Sequence, residues 1–241
     1  MKNLNRVLYL LSLVLCLQYS AIAQNKIGLE FKTGINNTEF TFQGNFPQLE
    51  ISSVDNRFYG LTFIKSLNKG FSYGFDFNLY RFDRNIRYIT LDPVRNTGGS
   101  ATNFWSLGPK IQYDLYFFPK FGSSLATSFL FNYAPNEAYQ FQGGELQAIR
   151  SQNGEPRIPV KTFGVTYVET ISFILRPELS LFYELSSKSR IMVTAQWGLD
   201  LREPSIVIDL DRIEFEGETY QNKYFYSGNY FSTLLGYRYS F

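Results

Sequence analysis

From residue 27 onward, apolar and polar residues alternate one by one in eight separate segments. The cleanest is Phe71, Tyr73, Phe75, Phe77 and Leu79, with Ser72, Gly74, Asp76 and Asn78 between them. The others run through Ile27, Leu29 and Phe31; Tyr59, Leu61 and Phe63; Trp105 to Phe117; Leu125 to Tyr133; Ile171 to Tyr183; Ile191 to Leu201; and a final stretch ending at Phe241. In that last stretch Phe231, Thr233, Leu235, Tyr237, Tyr239 and Phe241 alternate with Ser232, Leu234, Gly236, Arg238 and Ser240. A period of two marks a strand whose two faces meet different surroundings. The pattern predicts eight β-strands.

Their connections alternate in length. Asn68-Lys69-Gly70, the stretch around Pro119-Lys120, and Ser187-Lys188-Ser189 read as tight turns. The stretches 37–56, 84–101, 135–161 and 203–222 read as long loops. Short turns at one end and long loops at the other belong to a transmembrane barrel of even strand number. A soluble eight-stranded barrel would not confine its long loops to one end. The expected fold is therefore all-β, an eight-stranded antiparallel up-and-down transmembrane β-barrel. Residues 162–185 exceed the roughly 9–11 residues of a spanning strand, so splitting that segment would give ten strands instead. Leu107-Gly108-Pro109-Lys110-Ile111 echoes Leu175-Arg176-Pro177-Glu178-Leu179. A proline removes a ladder donor, so each is expected at a bulge or near the outer rim.

Composition supports this reading. The 241 residues include 24 Phe and 18 Tyr, a surplus hard to place in water, while no apolar run after residue 23 is long enough for a transmembrane helix. Lys2 and Arg6, the apolar run Val7 to Leu17, and the small-x-small Ala21-Ile22-Ala23 read as a secretory signal peptide over residues 1–23, leaving 24–241 as the barrel domain. Leu13-Val14-Leu15-Cys16 outlines a rival lipoprotein signal, although a small residue normally precedes the lipidated cysteine and Leu15 is not small. Lys2 and Arg6 account for the whole net charge of +2, so no basic excess points to nucleic acid. Cys16 is the sole cysteine and histidine is absent. His-based general bases, His dyads, His metal sites and thiolate chemistry are thereby removed from the mature chain. A two-carboxylate hydrolase stays open in principle, but no spacing places two acids on a cleft. The expectation is a non-enzyme with no catalytic residue, cofactor or metal ion.

The signal peptide, the eight strands, the Pro-x-apolar strands and the ending Gly236-x-x-Tyr239-x-Phe241 resemble the small outer-membrane barrels of the OmpA/OmpX-like superfamily. The likeness is greatest to the Bacteroidetes-type barrels that include PorT-like proteins, and it covers residues 24–241 by pattern. It departs at Leu234, where targets of the barrel-assembly machinery usually carry a polar residue. No peptidoglycan-binding domain is expected after the barrel. The resemblance implies a location in the cell outer membrane and functions ranging from membrane stabilisation to adhesion and secretion. It also implies that Gly236, Tyr239 and Phe241 serve as the assembly signal, with the barrel-assembly machinery, outer-membrane lipid and lipopolysaccharide as partners.

Even-numbered positions facing the lumen carry charge: Glu30, Lys32, Asp76, Lys110, Asp114, Arg176, Glu178, Glu184, Asp200 and Arg238. Eight strands leave an interior just wide enough for side chains to fill it. An ion-paired, filled lumen is the expectation, and a narrow passive channel the alternative. Arg81, Arg84, Arg87 and Arg95, interleaved with Phe82 and Tyr88, form a basic cluster at the second long loop; guanidinium groups there could grip lipopolysaccharide phosphates, or pair locally with Asp83 and Asp92. The last loop is acidic, with Glu203, Asp209, Asp211, Glu214, Glu216 and Glu218 against Arg212. Calcium has suitable oxygen donors there but no EF-hand spacing. Glu214, Glu216 and Glu218 alternating with Ile213, Phe215 and Gly217 read as a hairpin above the membrane. Function is expected in the loops 135–161 and 203–222, as a structural or interaction role with a secretion or surface protein partner.

Overall fold

Strict alternation leaves each strand one apolar face, and the chain hides its unpaired edges by closing the sheet on itself. A computed structural model describes residues 26–46, 49–53, 56–67, 70–88, 96–135, 139–149, 158–202 and 205–241. Its strands are β1 (Ile27–Gly44), β2 (Leu49–Ser53), β3 (Arg57–Ser66), β4 (Phe71–Tyr88), β5 (Asn96–Phe118), β6 (Phe121–Tyr133), β7 (Tyr139–Ile149), β8 (Ile158–Val168), β9 (Ile171–Ser186), β10 (Ser189–Asp200), β11 (Ile206–Phe215) and β12 (Glu218–Ser240). Eight of them form the wall in the order β1-β3-β4-β5-β6-β9-β10-β12, and β12 pairs back onto β1 from Gly28↔Ser240 upward. All pairings are antiparallel. These eight are the eight segments of the sequence pattern.

Parity holds around the wall. Phe63, Ile111 and Leu235 on the odd face remain 57%, 61% and 65% exposed, too much apolar surface for a chain standing in water. Tyr59, Trp105, Tyr133 and Trp197 rim this collar at one end, and Tyr73, Tyr183, Tyr237 and Tyr239 at the other, the paired aromatic girdles of a membrane barrel. Even positions point inward, where Asp76, Lys110, Arg176, Thr194 and Ser232 are buried.

The stretches expected to be long loops are largely strand. β1 continues to Gly44, β4 to Tyr88, and β5 begins at Asn96. β7, β8 and β11 occupy most of 135–161 and 203–222 and extend the sheet from β12 in the order β12-β11-β8-β7, above the closed wall, while β2 pairs with the upper part of β4. Residues 162–185 do divide, into β8 and β9 around Glu169 and Thr170. β8 pairs with β11 and β7 rather than entering the wall, so the barrel keeps eight strands. The expected hairpin is present, turning at Glu216 (φ 52°) and Gly217 (φ 84°) between β11 and β12. Two successive positive φ values give the turn that matches the twist of a two-residue hairpin.

The prolines correct a second expectation. Pro109 keeps its place beside Phe75, but β5–β6 pairing lapses between Leu107↔Phe131 and Lys110↔Ser128 without a change of register. Likewise, Pro177 stands opposite Thr127 while β9–β10 pairing lapses between Gln196↔Glu178 and Leu199↔Leu175. Each missing N–H costs a local stretch of ladder in mid-wall; neither proline marks a bulge or a rim.

Candidate functional site

Closing eight strands brings even-numbered side chains from across the sequence to one axis. Three layers result. The first is ionic. Glu178 Oε2 accepts from Lys32 Nζ at 2.5 Å and Lys110 Nζ at 2.8 Å, and its Oε1 accepts from Arg176 Nε at 3.0 Å and lies 2.8 Å from Arg176 NH2. Arg176 NH2 also reaches Asp76 Oδ2 at 2.5 Å, and Asp76 accepts from Thr62 and from Ser128 (2.6 Å). Lys32 Nζ lies 2.9 Å from Glu30, and Glu30 also holds Arg238 through Nε (2.7 Å) and NH2. Arg190 NH1 donates to Asp114 Oδ2 at 2.7 Å, and Asp114 accepts further from Gln112 (2.5 Å) and Ser124 (2.7 Å). All eight wall strands contribute a member. Burying these ions is tolerable because each has a partner and most spare lone pairs are taken.

The second layer is aromatic. Tyr80 stacks on Phe104 (5.0 Å between ring centres, 9° between planes) and on Phe58 (6.3 Å, 12°), and meets Tyr230 at 5.2 Å. Its hydroxyl donates to Asn132 Oδ1 at 3.0 Å, which keeps a polar tip inside an apolar layer satisfied. Phe82 stacks on Tyr226 just above (4.4 Å, 14°). Arg176 lies 5.7 Å from the Phe58 ring centre, joining the two layers. Leu130 and Ile174 complete this buried plug.

The third layer belongs to the sheet above. Val160, Ile206, Ile208, Leu210, Ile213 and Phe215 continue the apolar cluster beyond the plug, with Phe46 edge-on to Phe215 at 5.6 Å. Asn222 Nδ2 donates to the Phe46 carbonyl at 2.8 Å and its Oδ1 accepts from the Phe46 N–H at 3.0 Å, pinning the segment after β1 over this cluster.

The lumen residues read from parity fall in place, with two refinements. Asp200 lies at the plug's far end, accepting from Ser205 and from the Arg202 N–H (2.9 Å) rather than joining the ionic layer. Glu184 is half-buried at the opposite mouth and accepts from Tyr116 at 2.6 Å. Arg190 escapes the sequence reading because that reading starts the seventh strand at Ile191, two residues late; its even number is the available signal. The four ionic-layer carboxylates are each bound to a cation, so none is placed as a free acid or base.

Of the basic cluster, Arg81 is exposed and pairs with Asp83 at 2.6 Å. Arg84 and Arg87 take backbone places in β4 opposite Ser53 and Glu50, and Arg95 lies outside the described residues. The acids of the last stretch are spread along a hairpin: Asp209 pairs with Lys223 at 2.8 Å, and Arg212 lies 3.4 Å from Glu214 with its guanidinium over Phe163 at 3.8 Å. Glu203 lies outside the described residues. Among the described residues no group of three or more His, Cys, Asp or Glu is placed to hold a metal ion. Gly236 faces the lumen, where a Cβ would come within 2.6 Å of Met192 Cγ; Tyr239 and Phe241 stay on the outer face with rings 5.2 Å apart. The departure at Leu234 has a packing reason: it sits opposite Gly34 and fills the space that glycine leaves.

A closed antiparallel wall with an exposed apolar collar, two aromatic girdles and a polar interior defines an integral outer-membrane β-barrel, with its short turns on the periplasmic side. No family model matches the sequence, and no curated protein does. Solved structures similar in shape include the outer membrane protein OprG from Pseudomonas aeruginosa, 11% identical over 90% of this chain and 96% of that one, with a TM-score of 0.47. The outer membrane protease OmpT from Escherichia coli is 9% identical over 92% and 99%, with a TM-score of 0.40. The β domain of the Bordetella autotransporter BrkA is 12% identical over 91% and 100%, with a TM-score of 0.33.

Proposed function

We propose that this barrel is a membrane-held platform that presents the sheet β12-β11-β8-β7 to a protein partner. The observation that carries the reading is the contrast between the barrel's two ends. The lumen is filled by ion pairs and stacked rings, whereas the external side carries a continuous sheet with its own apolar cluster. Rigid scaffolds commonly present function on the segments they hold out into solvent. The likeness to PorT-like barrels favours a subunit of a secretion machine as the partner, though fold alone does not assign one. The test is a pull-down from native membranes with wild type and with 136–157 and 209–220 shortened, alongside planar-bilayer conductance. Partner loss with the barrel still inserted is the expected result. A stable conductance unaffected by shortening would replace the platform with a channel.

Insertion itself is proposed to use Gly236 and Tyr239, on the strand that closes the wall against β1, and Phe241, just after it, whose N–H donates to the Ile27 carbonyl. Phe241→Ser should leave most of the secreted protein uninserted and protease-sensitive in the periplasm. Normal insertion of that variant would reduce the residue to a lipid-facing ring.

A further inference from the structure

The ionic layer is out of balance. Among the described residues it holds five buried cations, Lys32, Lys110, Arg176, Arg190 and Arg238, against four carboxylates, Glu30, Asp76, Asp114 and Glu178. Asp200, beyond the aromatic plug, is engaged by Ser205 and the Arg202 backbone. The surplus is localised at Arg190, which stands directly opposite Arg238 in the β10–β12 register. Like charges so placed repel unless an anion lies between them. Asp114 serves one much better than the other, at 2.7 Å from Arg190 NH1 but 4.0 Å from Arg238 NH1. Arg238 is otherwise held by Glu30 and by Gln112 Oε1 at 2.8 Å. Among the described residues Arg190 is paired with Asp114 alone, and its Nε and NH2 are buried with no hydrogen-bond partner. Phe182 supports the guanidinium face, 4.4 Å from ring centre to Cζ. Two unsatisfied donors on a buried cation form a costly arrangement that an acceptor from outside would relieve.

The same side chain borders open space, and a small shift of the guanidinium would bring these donors to it. Arg190 and Arg238 border a cavity of about 210 Å³ at the periplasmic mouth, also lined by Lys26, Lys188, Ser72 and Ser189. Roughly 10–15 Å³ of such space suffices for one water, so the cavity accommodates a tetrahedral oxyanion and part of its hydration. Its acids are already engaged: Asp114 by Arg190, Gln112 and Ser124, and Glu184 by Tyr116. Four cations against two acids leave the cavity with a net positive charge.

From this geometry we infer that the periplasmic mouth is a phosphate-binding site. A phosphoryl group is held at the Arg190 side chain, which borders the cavity together with Arg238, Lys26 and Lys188. Guanidinium suits this ligand because its planar fork matches two phosphate oxygens at once. Serine hydroxyls in the lining supply further donors. The phosphoryl group can belong to free phosphate in the periplasm or to the headgroup of an inner-leaflet lipid.

The test uses the full-length mature chain folded in zwitterionic detergent, titrated calorimetrically with inorganic phosphate and, separately, with phosphatidic acid doped into the micelles. Saturable binding of either is expected. Phosphate alone identifies the free ion as the source, and phosphatidic acid alone identifies the headgroup. Arg190→Gln should weaken binding about tenfold or more, the scale of a lost charged hydrogen bond, and Lys161→Gln, on the sheet above the barrel, should leave it unchanged. If Arg190→Gln fails to fold, judged by heat-modifiable migration, the double variant Lys26→Gln/Lys188→Gln at the exposed rim takes its place and should also weaken binding. Absence of saturable binding to both probes overturns the proposal, as does binding that the folded Arg190 variant, or failing it the rim variant, leaves unaltered.

Discussion

Glu178→Ala should lower the stability of the folded barrel by about 3–5 kcal/mol, the range found when one partner of a buried ion pair is removed. Glu178 is shared by three cations at 2.8 Å or less: its two oxygens hold Lys32, Lys110 and Arg176, drawn from β1, β5 and β9. Without it these cations have only Glu30 and Asp76, and all three are buried away from water. Glu178→Gln should be nearly as damaging, because shape is kept and charge is lost. Glu184→Gln, at the half-open mouth, should cost about 1 kcal/mol or less. Urea unfolding in detergent, followed by the gel shift between boiled and unboiled samples, measures all three. A Glu178→Gln midpoint equal to wild type would mean that water already screens these charges, and the filled-lumen picture would fall with it.

The wall was legible in the sequence because lipid enforces the alternation more strictly than water does. A charged side chain at Phe75 or Leu179 would face hydrocarbon, so the outer face carries little beyond apolar residues and an occasional threonine, and the period of two survives across every spanning segment. The charged interior was legible for the same reason: parity placed Glu30, Lys110 and Glu178 inward. Which cation meets which acid was not legible. Lys32 and Glu178 are 146 residues apart and meet only through the stagger of the closed wall, a property of all eight registers together. The upper strands were misread for another reason. Ile206, Ile208 and Leu210 alternate as plainly as any wall segment, but Asp209 between them and Asp211 after them put charge on the other face, and the stretch reads as a loop. The hairpin at Glu216 and Gly217 was visible because its alternation breaks at a glycine.

Gly228→Val should unfasten the external sheet and leave the barrel standing. β12 changes neighbour here: Gly198↔Tyr230 is its uppermost pair with β10, and Tyr226↔Ile206 is where β11 takes over. The three residues between them on β12 face a single residue of β1, where the β1 register shifts between Thr38 and Phe40. Gly228 makes this jog with φ at 88°, a conformation that β-branched residues avoid. A Cβ there would also come within 2.2 Å of Asp200 Oδ2 and 2.3 Å of Ser205 Oγ, the pair that fastens the end of β10 to the start of β11. Backbone strain alone costs about 1–3 kcal/mol, and relieving the clash means parting Asp200 from Ser205. The Ser205 N–H bond to the Tyr226 carbonyl (2.8 Å) and the Glu169 N–H bond to the Ser205 carbonyl (2.8 Å) depend on the same corner. A local loss of about 2 kcal/mol would speed amide exchange in 206–226 roughly 30-fold, while β9 and the wall part of β10 keep their protection. Partner capture should fail in the same variant, with heat-modifiable migration intact. Equal loss of protection in β9 and β10 would show instead that sheet and barrel unfold as one unit. The sheet could then not be released without the wall, and the aromatic plug that joins Tyr80 to Tyr230 would be the element coupling the external surface to the membrane.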